Sequence, residues 1–148
     1  MATDQNNNLV FQRHSVGIRN VGSYQVSGWP WITGSTIDAF EQHKITFPYV
    51  PKSFSIALSG AGTIRLHFDS TASSLHVADQ KHYITLADGE TTSVTFSTMC
   101  KDFYISAPMA NSGYELIAEL TNIPTTGMPT LTGSGITAHD LVSGITHA

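Results

Sequence analysis

Lys52–Asp69, KSFSIALSGAGTIRLHFD, is the stretch whose reading decides the fold. Phe54, Ile56 and Leu58 alternate with Ser53, Ser55 and Ser59; after a break, Ile64, Leu66 and Phe68 alternate with Thr63, Arg65, His67 and Asp69. A period of two places the apolar side chains on one face of a sheet and the polar ones on the other. Gly60-Ala61-Gly62 supplies the left-handed positions that a tight reversal needs, so the expectation is a β-hairpin with one wet and one dry face. A lone hairpin is marginal in water, so its dry face has to meet further strands.

Working outward, the flanking segments supply them. Glu41–Val50 alternates through His43, Ile45 and Phe47 and is expected to be a strand stopped by Pro48 and Pro51. Short strands are expected over 74–78 and 82–86, then over 92–99, 101–107 and 114–120, with turns at Asp88-Gly89 and Asn111-Ser112-Gly113. Eight short strands between Glu41 and Thr121, separated by turn signals, predict an all-β, single antiparallel β-sandwich or jelly-roll-like domain. The expected division is an N-terminal arm with short edge strands over 1–40, a sandwich over 41–122 and a C-terminal arm over 123–148. Across the end of the first arm, residues 35–42 could hold a short helix. Trp29-Pro30-Trp31 excludes a helix interior and brings two large rings together, as a plug over one end of the sandwich or as an anchor against a neighbour. In the tail, Ser-Gly-Ile-Thr recurs at 134–137 and 143–146, and Leu131, Ile136, Leu141 and Ile145 form regular apolar pegs. Trp29, Trp31, Ile32 and these four residues are the candidate interface set.

Composition narrows the function classes. Only 12% of the 148 residues are charged, while 34 are Ser or Thr, so the surface is rich in hydroxyls rather than ions. Net charge is −4 with seven unclustered Lys and Arg, which leaves no electrostatic footprint for a phosphate backbone. No apolar run reaches the roughly 18 residues of a membrane span, and MATDQNNN lacks the basic and apolar regions of a signal peptide. Synthesis in a cytoplasm is expected. The one cysteine, Cys100, excludes an internal disulfide and any CxxC motif, and is expected to be a small buried hydrophobe. His67, Asp69, His76, Asp79 and His82 could converge on a metal, but they lack a family spacing such as HExxH, so no metal or cofactor is expected. Gly133-Ser134-Gly135 is not a nucleophile elbow, and no pair of carboxylates is marked for glycoside chemistry. An enzyme is not expected.

RNVGSYQVSG at Arg19–Gly28, TGS at Thr33–Ser35, and AELTNI and LTGSGI towards the end resemble small virion structural proteins of tailed phages, of the marine cyanophage type. The resemblance runs from about residue 17 to 137. It implies a β-sandwich decoration or cement protein, bound in many copies to the major capsid protein or other virion proteins and clustered as a homo-oligomer, for instance a trimer. It brings no catalytic residue and implies a location in the virion. The alternative is a carbohydrate-binding module of a tail fibre, with Trp29, Trp31, Tyr49 and Tyr83 as stacking rings.

Overall fold

The computed structural model describes residues 28–70, 82–129 and 131. Eight strands make up the body: β1 (Trp29–Ile37), β2 (Gln42–Thr46), β3 (Tyr49–Ser59), β4 (Thr63–His67), β5 (Ile84–Ala87), β6 (Ser93–Phe96), β7 (Asp102–Ser106) and β8 (Ser112–Pro124). They form two four-stranded antiparallel sheets, in the orders β1-β8-β3-β6 and β2-β7-β4-β5. The all-β sandwich expected from the sequence is therefore the observed architecture. Its pairing is nested: β1 with β8, β2 with β7, β3 with β6 and β4 with β5. A long antiparallel ribbon rolled across two layers in this way is a jelly roll.

The hairpin expected over 52–69 is not one. β3 pairs with β6 and β8, whereas β4 pairs with β5 and β7, so the two strands lie in opposite sheets. Gly60 and Gly62, at φ +87° and +135°, turn the chain from one layer to the other instead of across one ladder. The expected dry faces do turn to the core, with Leu58 and Phe68 half-buried against it, but His67, expected on a wet face, is buried as well. Phe54 and Ile56 from one sheet and Ile64 and Leu66 from the other are all buried in the common core.

Two further expectations change. Trp29–Ile37 does not lead into the helix expected over 35–42. It is a nine-residue strand in full register with β8, from Trp29 opposite Leu120 to Ile37 opposite Ser112. Pro30 is tolerated because an edge strand has one side that needs no donor. Residues 29–40 are thus part of the body rather than of an arm. The strand expected over 41–50 is broken: β2 ends at Thr46, and the chain crosses at Phe47-Pro48 to begin β3 in the other sheet. Pro51 does not stop β3 but sits buried inside it, where the pairing with β8 shifts register on either side. The strand expected over 74–78 lies outside the described residues.

The core is built on aromatic rings. Phe54 stacks on Phe103 (centroids 4.9 Å apart) and on Phe96 (5.1 Å), and Phe47 packs against both Phe54 and Phe103 at 5.3 and 5.7 Å. Each fully buried Phe contributes roughly 1.5–3 kcal/mol through burial alone. Since Phe54 belongs to one sheet and Phe103 to the other, this cluster joins the layers.

Candidate interaction surface

Along β8, Leu116, Ala118 and Leu120 point into the core, so Glu115, Ile117 and Glu119 must point out. The register then fixes what surrounds Ile117. Ile32 of β1 lies opposite on one side, Ser55 of β3 on the other, and Thr95 of β6 beyond it. On this outer face Ile32 is 73% and Ile117 49% exposed. Ser55 and Thr95 hold each other by a hydroxyl hydrogen bond of 2.7 Å, so they offer a polar but uncharged flank. Ala57 and Glu115 complete a shallow concavity around the isoleucine pair. The strands approach closely here: a Cβ on Gly34 would sit 2.7 Å from the Tyr114 carbonyl oxygen, and one on Gly113 would sit 2.5 Å from that of Ser59. Lys52 and Glu119 approach to 3.6 Å at the rim, a half-exposed pair of little energetic weight.

The outer face of the second sheet is different in kind. Lys44 bonds to Asp102 at 3.0 Å and lies 5.5 Å from the Tyr104 ring centroid. The Asp102 hydrogen bond holds the Lys44 ammonium above its ordinary range. On the other side of Tyr104 the His67 ring stacks almost parallel, at 4° and 5.9 Å. His67 is buried, with Nδ1 2.5 Å from the Asp69 carbonyl oxygen and Nε2 2.9 Å from the Ser106 hydroxyl. Burial pushes its pKa down, against the opposing pull of Asp69. Arg65 covers the Tyr83 ring at 4.5 Å.

These contacts bear on the chemical candidates. Both ring nitrogens of His67 are engaged, and no group of three His, Cys, Asp or Glu that could hold a metal occurs among the described residues. His76 and Asp79 lie outside them. Cys100 is fully buried, and burial, reinforced by Asp102, pushes its thiol up to about 12. A thiol so held has almost no nucleophilic thiolate at neutral pH. Gly133-Ser134-Gly135 falls outside the described residues.

The expected interface residues are dispersed. Ile32 lies on the outer face just described. Trp29 overhangs the end of β1, 67% exposed, whereas Trp31 turns into the core and meets Phe47 edge-on at 5.5 Å. Leu131 packs half-buried against the core. Ile136, Leu141 and Ile145 lie outside the described residues. The four rings considered for sugar stacking do not share one platform, since Trp31 packs half-buried against the core and Tyr83 is under Arg65 on the second sheet. Ile117 was missed as an interface residue, although it stands out in the sequence as an isoleucine between Glu115 and Glu119, in the polar phase of its strand. Exposed Phe40 and Met109, in turns, had no periodicity to mark them.

No protein-family model matches the chain, and no curated protein sequence matches it. Among solved structures, it is similar to one described as Bacillus endospore appendages that form a novel family of disulfide-linked pili. The identity is 13% and the TM-score 0.37, over 74% of this chain and 98% of that one. No helix among the described residues is long and apolar enough to cross a membrane.

Proposed function

We propose that this chain is a non-enzymatic assembly subunit of a tailed-phage virion, a capsid decoration or cement protein. The outer face of the first sheet packs against neighbouring copies in a homo-oligomer such as a trimer. The tail from Leu131 through Ile136, Leu141 and Ile145 grips the major capsid protein. No cofactor, nucleic acid or membrane takes part. The observation that carries this reading is the exposed Ile32–Ile117 pair, set side by side on a close-packed sheet face with Ser55, Thr95 and Ala57 beside it and the Glu115 and Glu119 carboxylates flanking Ile117 along β8. Such a face gains by covering the isoleucines while the two carboxylates stay at the rim. The resemblance over residues 17–137 supplies the virion context.

Mass spectrometry of purified particles tests the proposal through copy number. The unaltered chain should be present in many copies per head. I32K/I117K should remain folded but fail to incorporate, and a chain ending at residue 129 should likewise be folded and absent. Normal copy number for both altered chains, or particles devoid of the unaltered one, would overturn it.

A further inference from the structure

One end of the jelly roll carries four turns: 38–41 between β1 and β2, 60–62 between β3 and β4, 88–92 between β5 and β6, and 107–111 between β7 and β8. Hydrogen bonds tie them in a row. Phe40 N–H donates to the Ala107 carbonyl (2.8 Å), Thr63 N–H to the Ser112 hydroxyl (3.2 Å), that hydroxyl to the Met109 carbonyl (3.3 Å), and Asp88 N–H to the Gly62 carbonyl (3.1 Å). Every left-handed residue among the described ones lies in these turns: Phe40, Gly60, Gly62, Gly89 and Asn111. Phe40 is the anomaly. It holds φ +64°, a conformation disfavoured for a bulky side chain, and leaves its ring 89% exposed. Met109, in the neighbouring turn, is 59% exposed. Asp38, Glu41, Asp88 and Glu90 are exposed in the same turns, which contain no Lys or Arg.

We infer that this loop end is a second docking surface, in which Phe40 and Met109 enter an apolar pocket ringed by Lys or Arg on a different protein of the particle. The charge selects the partner. Another copy of the same end would bring carboxylates against carboxylates, and an anionic lipid surface would repel them, whereas a basic rim attracts them and steers the approach. A flexible, exposed phenylalanine could collapse onto its own surface. Here the turn is pinned through the Phe40 N–H, so the ring is presented at little further entropic cost on binding.

The inference rests on the assembly reading, and one experiment separates the two. Heads purified without this protein are the probe, with co-sedimentation of added protein as readout. Phe40→Gly should stay folded with an unchanged or higher Tm, because glycine accepts the left-handed position, yet bind heads at least about tenfold more weakly. Binding of the unaltered chain should weaken as salt rises, and neither neutral nor anionic phosphatidylcholine/phosphatidylserine vesicles should retain it. No binding by the unaltered chain overturns both readings. Equal binding by Phe40→Gly, or retention on vesicles, overturns this inference and leaves the assembly reading standing.

Discussion

The two sheets share one core and differ on their outer faces. On the second sheet, Lys44, Asp102, Tyr104, His67 and Ser106 satisfy one another across neighbouring strands, and Arg65 covers Tyr83. On the first sheet, hydroxyls pair locally while Ile32 and Ile117 face outward, exposed among the described residues. Paired polar groups resist being covered again, since a partner would have to replace their interactions, while exposed isoleucines lose only water. The same architecture thus has one face whose described polar groups largely satisfy one another, Arg65 Nε excepted, and one that leaves two isoleucines exposed.

Removing the shared core should break both faces at once. Phe54→Ala takes away the ring that stacks on Phe103 and Phe96, and should cost about 3–5 kcal/mol, read as a loss of ΔG in chemical denaturation. Near neutral pH the second sheet should show a response through His67. Burial holds the folded pKa of His67 below its ordinary value of 6.5, so the folded chain keeps the ring neutral while the unfolded chain takes up a proton. Its contribution is complete above that value and is lost as pH falls from about 6.5 through the folded pKa, with a limiting slope of about 1.4 kcal/mol per pH unit. His67→Gln should flatten the stability profile in that window, and an unchanged slope would locate the titration elsewhere. The first sheet should be nearly silent in the isolated protein. I32K/I117K should move stability by no more than about 0.5 kcal/mol per site while removing self-association measured by sedimentation. A large destabilisation would mean the isoleucines serve the fold and not an interface. Smallest of all should be the effect of a thiol reagent: Cys100 should stay unlabelled at neutral pH in the folded protein and react only on unfolding.

Much of the fold was legible because alternation is local. Phe54, Ile56, Ile64 and Leu66 each announce their inward face through their own neighbours. The partner of each strand was not legible, because nothing in Lys52–Asp69 distinguishes a reversal within one ladder from a crossing between layers. The same glycines serve both. Trp29–Ile37 escaped as a strand because its inward positions include Thr33 and Ser35, which do not look like core, and its place depends on nine pairings with β8 far along the chain. The candidate surface was half visible. Ile32 was singled out, but its neighbour Ile117 becomes meaningful only once the register sets them side by side.

The nested order of strands has a consequence for how the molecule comes into being. β1 emerges from the ribosome before the rest of the described strands, yet its partner β8 is the last of them to be made, and β8 is also the strip that separates β1 from β3. Until then, β1 and one side of β3 carry naked ladder edges, a state prone to clumping and slow to resolve. A nascent chain stalled before Ser112 should therefore hold the strands of the whole second sheet and the β3–β6 pair but leave β1 unpaired and one edge of β3 open, and expression at low temperature or with chaperones should raise the soluble yield.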